Sequence, residues 1–245
     1  MNLGIFFEVT ADGDSVWWQS LASGLSWTLS TALFAGLIAF FLGSVLGVAR
    51  TTSRPWLVRL GNAYVELFRN IPLIVQFFLW YFVIPGLIPA VKRWVTTLDP
   101  TEHQFVTAVV CLGLFTASRI SEQVRSGIQS LPRGQRYAGL AMGFTTAQTY
   151  RYVILPMAFR IILPPLTSES MNLLKNSSVA FAVSIAELTM FAMQAQEETS
   201  RGIEIYIAVT ALYAISAFAV NRIMHFVEKK AQIPGFVVAG TGGGH

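Results

Sequence analysis

Charged residues are scarce in this sequence of 245 residues. They make up 12% of the chain, whereas 53% of the residues are hydrophobic and the mean hydropathy is +0.55. In soluble domains roughly a quarter of all residues are charged. This scarcity argues against an ordinary soluble domain, and a net charge of only +4 gives no support for a nucleic-acid partner. Because apolar segments recur without a linker between them, we predict one transmembrane domain over residues 1–245, embedded in a lipid bilayer.

Cysteine and histidine are also rare. Cys111 is the only cysteine and lies in an apolar run, so an intramolecular disulfide and a thiolate metal site are both excluded. The three histidines, His103, His225 and His245, are scattered along the chain. We find no catalytic triad, paired carboxylates or metal motif, and we therefore predict no enzyme activity, no metal site and no cofactor bound by this chain. The Gly-rich end, residues 231–245, is expected to be a flexible tail.

The chain also lacks the features of a nucleotide site and of a cleaved leader. A P-loop needs glycine immediately before its lysine, and none of the four lysines, Lys92, Lys175, Lys229 and Lys230, follows a glycine. Any ATP must therefore be bound elsewhere. No basic residue precedes the first apolar run, which argues against a signal peptide, so the first long apolar segment should remain as an anchor.

Long apolar segments are what the sequence does contain. A helix needs about 20 apolar residues to cross the hydrocarbon core. Five segments meet or approach that length, and we predict an all-α, polytopic membrane protein with about five transmembrane helices. The segments lie between Asp14 and Arg50, from Ile71 to Val91, from about Gln104 to Ile120, from about Arg160 into the 180s, and from about Ile205 to Val227.

The positive charges indicate an orientation, because lysine and arginine in short loops prefer the cytoplasmic side. They cluster after the first segment, after the third and at the end of the fifth, which places the N-terminus outside and the C-terminus inside. The three clusters are Arg50, Arg54, Arg59 and Arg69, then Arg119, Arg125, Arg133, Arg136 and Arg151, and finally Arg222, Lys229 and Lys230.

A long polar loop, residues 119–156, follows the third segment on the predicted cytoplasmic side. Helical spacing favours two short helices here, "RISEQVRSGIQSL" and "RGQRYAGLAMGF", with a break at Pro132 and Gly134. Gly143 is expected to end the second helix with a positive φ. Its small residues, Ala138, Gly139, Ala141 and Gly143, let a backbone come close, either to a docking partner or to the protein's own helices. The residues alone leave both alternatives open.

This loop resembles the EAA loop of the membrane subunits of binding-protein-dependent ABC importers. Ala138-Gly139 is followed by Gly143, and nine further residues lead to Val153 and to Leu155-Pro156. The resemblance implies a coupling helix that docks on a cytoplasmic ABC ATPase dimer. The expected coupling residues are Arg136, Tyr137, Ala138, Gly139, Ala141, Met142, Gly143, Leu155 and Pro156. Tyr137 stands where many relatives have Glu, so the contact must rely on shape.

Three further stretches, residues 64–85, 122–135 and 164–180, resemble the polar amino-acid uptake branch of these permeases, and most strongly the glutamate/aspartate permease subunits. The resemblance covers about residues 24–230. It implies a bacterial cytoplasmic (inner) membrane protein, a second permease chain, more often related than identical, and an extracytoplasmic amino-acid-binding protein. It also implies ATP and magnesium on the partner ATPase.

Lys175 is the central residue of the expected substrate path. A cation at mid-membrane costs about 2.5–3.5 kcal/mol, so it should face a partner or a water-filled path, where it would attract a substrate carboxylate. An ion pair with Glu169 and snorkelling to an interface are the alternatives. Gln76, an amide in an apolar run, lines the pore or bonds another helix. The candidate path residues are Gln76, Glu169, Asn172, Lys175, Asn176 and Ser177.

These observations predict a permease subunit of an ATP-binding-cassette importer that moves polar amino acids, above all glutamate and aspartate, by alternating access. The alternative is a membrane scaffold or sensor subunit that docks a cytoplasmic partner without moving solute.

Overall fold

The computed structural model of the chain describes residues 3–10, 13 and 15–231. Within these ranges the backbone is helical apart from short connections and one isolated bridge between Val9 and Val16. The predicted all-α fold class is confirmed. The flexible tail predicted for residues 231–245 lies, apart from Ala231, outside the described residues.

Eleven α-helices follow one another in the described part of the chain. They are α1 (Trp17–Ala49), α2 (Pro55–Asn70), α3 (Leu73–Phe78), α4 (Ile84–Leu87), α5 (Pro89–Val95), α6 (Pro100–Gln129), α7 (Arg133–Ala141), α8 (Thr146–Thr149), α9 (Leu155–Asn176), α10 (Leu188–Thr199) and α11 (Gly202–Ala231). Two π-helical stretches, Leu79–Val83 and Tyr150–Ile154, connect α3 to α4 and α8 to α9. A 3₁₀ helix, Ser177–Val183, extends α9.

Three of these helices, α1, α6 and α11, are long and apolar enough to cross a membrane. Two bent pairs raise the possible number to five. In one pair α2 meets residues 73–87 at 104°, and in the other residues 146–183 meet α10 at 53°. The second and fourth apolar segments of the sequence therefore correspond to broken helices rather than to straight ones.

The prediction of a separate short helix beginning at residue 119 is wrong. These residues belong to the last third of α6, which continues without a break to Gln129. Their polar side chains find partners on other helices, and Ile120, Val124 and Ile128 pack in an apolar cluster with α1 and α9. The helix therefore continues until three residues before Pro132. The predicted break at Pro132 is confirmed, since α7 begins with the next residue.

The fourth apolar segment also begins earlier than predicted, at Leu155 instead of Arg160. Pro164 and Pro165 lie inside α9 without ending it. Proline lacks the N–H that would bond to the carbonyl four residues earlier, so the carbonyls of Arg160 and Ile161 lose that helical partner. Both prolines are exposed.

The α1–α6 contact is built on small residues. One face of α1 carries a buried stripe with a spacing of three or four residues, namely Gly24, Thr28, Thr31, Ala35, Ala39, Gly43 and Gly47. Gly24 and Thr28 contact the start of α10, whereas Gly43 and Gly47 contact α6. A Cβ on Gly43 would lie 2.8 Å from the carbonyl oxygen of Ala117, and one on Gly47 would lie 2.5 Å from the Cβ of Val124. Such stripes let helices approach closely within a bilayer, where packing rather than hydrophobicity holds them together.

Candidate coupling segment and transport path

The candidate coupling segment comprises residues 133–154, namely α7, the turn that follows it, α8 and the stretch Tyr150–Ile154. Gly143 has φ +87°, so it ends the helix in the left-handed conformation that was predicted. Thr145 and Gln148 then cap α8 reciprocally, since the backbone N–H of Gln148 donates to Thr145 Oγ1 and the backbone N–H of Thr145 donates to Gln148 Oε1. Two consecutive caps fix where the chain turns back toward the membrane helices.

Large side chains of α7 and its C-terminus face solvent. Tyr137 is 66% exposed and Met142 is 74% exposed, and Ala138, Ala141 and Gly143 are also exposed. Gly139 differs from them because it is buried, and a Cβ there would lie 2.8 Å from Cγ2 of Thr149. Each of the two alternatives for the small residues therefore holds for part of the set. Gly139 packs against the protein's own chain, and the others form an open surface that a partner could reach.

Leu155 and Pro156 lie in the first turn of α9. A proline is tolerated in this position because the first N–H groups of a helix have no helical acceptor. Leu155 is half-buried against the apolar cluster of α1, α6 and α9, so the Leu-Pro step leads directly from the coupling segment into a membrane helix.

The short connection after α1 contacts the coupling segment at two points. The hydroxyl of Tyr150 donates to the carbonyl oxygen of Thr51 at 2.8 Å. Nη2 of Arg136 donates to Oγ of Ser53 at 3.3 Å. α7, through Arg136, and the stretch Tyr150–Ile154, through Tyr150, are thus each bonded to a part of the chain more than 80 residues away.

Arg50, the first residue of this connection, is buried in a polar network. Its Nε donates to Oδ1 of Asn62 at 2.9 Å, its Nη1 donates to Oγ of Ser121 at 3.2 Å, and its Nη2 pairs with Glu122. Gly61 makes room for this side chain, since a Cβ there would lie 2.4 Å from Cγ of Arg50. Sequence reasoning counted Arg50 only as a cytoplasmic charge, and the spacing of its partners gave no signal that they would meet.

Two residues of the predicted path, Asn172 and Lys175, share one side of α9 with Ser168. Ser168 and Lys175 are exposed and Asn172 is half-buried, at positions one and two turns apart. None of the ion pairs formed among the described residues involves Lys175. A polar stripe on the open side of a membrane helix indicates a wet path or a protein partner. Ser168 belongs to this stripe and was missed, because it was considered only as part of a motif.

The other predicted path residues lie elsewhere. Asn176 is half-buried at the end of α9, and buried Ser177 donates its hydroxyl to the carbonyl of Leu174 at 2.7 Å. Glu169 is buried between α9 and α6, where it accepts from Nε of Arg119 at 2.5 Å and from Nε2 of Gln123 at 3.3 Å. The alternative in which Glu169 pairs with Lys175 is therefore wrong. The two side chains lie on different sides of the helix, as their six-residue separation requires.

Gln76 forms its hydrogen bonds within its own bent pair. Its Nε2 donates to the carbonyls of Phe68 and Ile71, both at 2.8 Å. Those carbonyls lie at the end of α2, where helical partners run out, so the amide stabilises the break between α2 and α3. Gln76 is buried, with 3% of its surface exposed, which argues against an open pore position, whereas its bond to Phe68 of α2 agrees with the alternative of a bond to another helix.

The sequence matches a known protein family and several of its members. The family model of the binding-protein-dependent transport system inner membrane component matches residues 39–233. The chain is 44% identical to the glutamate/aspartate import permease protein GltJ of Escherichia coli strain CFT073, over 96% of each protein. It is 29% identical to GltK, a glutamate/aspartate import permease protein of the same strain, over 86% of this chain and 92% of GltK.

A solved structure shows the same fold. A chain in the crystal structure of an amino acid ABC transporter with histidines superposes with a TM-score of 0.73 and 28% sequence identity, over 87% of this chain and 95% of that one. The exposed coupling segment, the helical membrane fold and the family match over most of the sequence lead to one conclusion. The chain belongs to the family of inner membrane components of binding-protein-dependent transport systems.

Proposed function

We propose that this chain is a permease subunit of an ATP-binding-cassette importer for polar amino acids, and that glutamate and aspartate are its substrates. The observation that carries the proposal is the 44% identity to GltJ over nearly the whole length of both proteins. An identity of this extent covers the coupling segment and the path helix α9 together, so the relationship is not confined to one motif.

The proposed topology has five crossings, with the N-terminus outside and the C-terminus inside a bacterial inner membrane. The three long apolar helices and the two bent pairs support this number. The arginine-rich connection after α1, the arginines of α7 and the basic end of α11 would then all lie in the cytoplasm, as the positive-inside rule requires.

The partners of the proposed complex follow from its exposed surfaces. The open face of α7, with Tyr137 and Met142, would dock on a cytoplasmic ATPase dimer that binds ATP and magnesium. An apolar and aromatic docking face suits an interface anchored by packing, and the absence of Glu at position 137 leaves shape as the basis of the contact. An extracytoplasmic amino-acid-binding protein would deliver substrate at the other end.

A second permease chain would complete the path. The polar stripe of Ser168, Asn172 and Lys175 lies open on α9, and one set of five helices does not enclose a route. GltJ and GltK are both relatives of this chain and both come from one bacterium, which supports a related partner over an identical one. In the assembled pair, Lys175 would attract the substrate carboxylate, and Asn176, which is neutral, would not repel it.

The test is uptake by proteoliposomes that contain the whole complex, both permease chains, the ATPase and the binding protein. Labelled glutamate, aspartate, glutamine and arginine are offered separately, with ATP inside. We expect ATP-dependent uptake of glutamate and aspartate that exceeds uptake of glutamine and arginine at least about tenfold, the factor that corresponds to about 1.4 kcal/mol.

Uptake of glutamine or arginine in preference to the acidic amino acids would contradict the proposed substrates, whereas the assignment as an importer subunit would stand. A complex that assembles with the ATPase but imports none of the four, with no stimulation of ATP hydrolysis by loaded binding protein, would instead favour a scaffold or sensor subunit.

A further inference from the structure

The connection Arg50–Ser53 joins more parts of the protein than a simple turn requires. Its first residue is held by α2 and α6, through Asn62, Ser121 and Glu122. Its next residues accept hydrogen bonds from Tyr150 and Arg136 of the coupling segment. This connection therefore lies between the coupling segment on one side and three membrane-associated helices on the other.

The two sides of the connection differ in rigidity. On the helix side, the Arg50 guanidinium is buried and uses Nε, Nη1 and Nη2 in three hydrogen bonds. A buried arginine with several partners has few alternative positions, because any movement leaves a charge unpaired in a low-dielectric environment. Residue 50 is thus fixed to α2 and α6.

On the coupling side, the contact consists of separate hydrogen bonds around open space. A cleft of ≈ 330 Å³ lies between Thr51, Arg136, Tyr150 and the link from α6 to α7. α7 itself packs on α8 and on the stretch Tyr150–Ile154. The Tyr150 ring packs on the apolar cluster of α1, α6 and α9, but its hydroxyl meets Thr51 beside this unfilled cleft, so the hydrogen bond can pass a displacement of Tyr150 to residue 51.

We propose that the connection Arg50–Ser53 is a second route by which movement of α7 reaches the membrane helices, and that Tyr150 is the positioning residue of this route. The first route is the chain itself, which continues from Tyr150–Ile154 into α9. The second runs from the Tyr150 hydroxyl to Thr51 and from the Arg136 guanidinium to Ser53, and then through Arg50 to α1, α2 and α6. With both routes, movement of the coupling segment acts on α9 and on the α1–α6 pair together.

This inference rests on the proposed function, because it concerns how ATP hydrolysis on the partner is converted into transport. Substitution of Tyr150→Phe removes one hydroxyl and keeps the ring that packs on the apolar cluster. The measurement is the number of amino-acid molecules imported per ATP hydrolysed by the complete reconstituted complex, together with assembly of the complex and the KM for loaded binding protein.

We expect the ratio of import to hydrolysis to fall about 2- to 10-fold in the Tyr150→Phe variant, the range that one net hydrogen bond supports. ATP hydrolysis, assembly and KM should stay within a factor of about two, since the nucleotide and docking sites are elsewhere. A merely structural role would lower assembly and hydrolysis in parallel and leave the ratio unchanged. Tyr152→Phe is the matched control, because Tyr152 is exposed and none of the described hydrogen bonds involves its hydroxyl.

A Tyr150→Phe complex with the wild-type ratio would overturn the second route, and the proposed function would stand if the wild-type complex imports amino acids. A wild-type complex without import would instead contradict the proposed function itself. If Tyr150→Phe prevents assembly, the Ser53→Ala variant decides in the same way, since it removes only the acceptor of Arg136.

Discussion

Arg119 of α6 donates its Nε–H to Oε1 of Glu169 on α9, with the two atoms 2.5 Å apart. The two side chains differ in exposure, since 41% of the Arg119 side chain and 4% of the Glu169 side chain are accessible. Removal of the arginine therefore leaves a buried carboxylate without its cation, whereas removal of the carboxylate leaves a cation that water can reach. This asymmetry makes the pair testable.

Substitution of Arg119→Met should lower the free energy of unfolding by about 3 kcal/mol, and Glu169→Gln should lower it by less. The double variant Arg119→Met/Glu169→Leu should regain most of the loss, because an apolar pair of similar volume needs no desolvated charge. Unfolding of the purified chain by SDS in mixed micelles measures all three. Arg125→Met is the control, since its 3.8 Å contact with half-exposed Glu122 should contribute below about 1 kcal/mol. Equal losses for both single variants would contradict the asymmetry.

Substitution of Gly47→Ala should loosen the α1–α6 contact. The new Cβ would lie 2.5 Å from the Cβ of Val124 and 2.9 Å from the carbonyl oxygen of Ser121, so the helices must move apart. Overpacking of this kind costs about 1–3 kcal/mol, which thermal unfolding in detergent should detect. Gly86→Ala is the matched control, because nothing lies within 4 Å of a Cβ there. An unchanged melting temperature for Gly47→Ala would show that α1 and α6 approach less closely than described.

Substitution of Gly139→Val should displace α7 from the chain that supports it. Cγ2 of Thr149 lies 2.8 Å from the position of the new Cβ, and Thr149 is buried, so it has no open space to enter. If the overpacking costs about 1.4 kcal/mol of binding free energy, affinity for the partner ATPase should fall about tenfold. Titration of ATPase onto the permease pair in nanodiscs measures this affinity. Gly134→Ala, on the same helix and with open space around it, should bind as the wild type does.

Substitution of Lys175→Met should reduce import of glutamate and aspartate about tenfold, since a charge-assisted hydrogen bond contributes about 1.5–3 kcal/mol. Lys175→Arg should retain most of the import because the charge stays. The side chain is exposed in the single chain and forms none of the described ion pairs, so the melting temperature of the isolated subunit should stay the same. Full uptake and unchanged substrate preference in Lys175→Met would exclude a role in the path.

At Gln76 the expectation and the structure agree on the need for a hydrogen bond and differ in its partner. The sequence predicted an amide that needs a partner, and this is correct, but the partners are carbonyls of Phe68 and Ile71 in its own bent pair. Local sequence gives the need for a hydrogen bond, because an amide in an apolar run cannot bond to lipid. It does not give the partner, because that depends on the bend of 104° between α2 and α3.

The continuous α6 is a second case. Charge density suggested that the membrane segment ends near Arg119, and the helix indeed becomes polar there, but it continues to Gln129. Whether a helix continues depends on backbone propensity and on packing. A fall in hydropathy shows only where the chain leaves the lipid, and a helix can continue past that point. The stripe of small residues on α1 is the opposite case, a tertiary contact that leaves a signal in the sequence. Its spacing of three or four residues is sufficient to predict a close helix contact.

The sequence by itself determined the class of protein, the helical character of its apolar segments, the break at Pro132, the left-handed Gly143 and the motif that marks the coupling segment. These depend on composition and on residues near one another in the chain. Only the tertiary structure decided that Arg50 meets Glu122, that Arg119 meets Glu169, and that Tyr150 bonds to Thr51. Each of these pairs joins distant parts of the chain. The physical reason is that buried charged and polar groups need hydrogen-bond partners, and the packing of the helices decides which partners lie within reach.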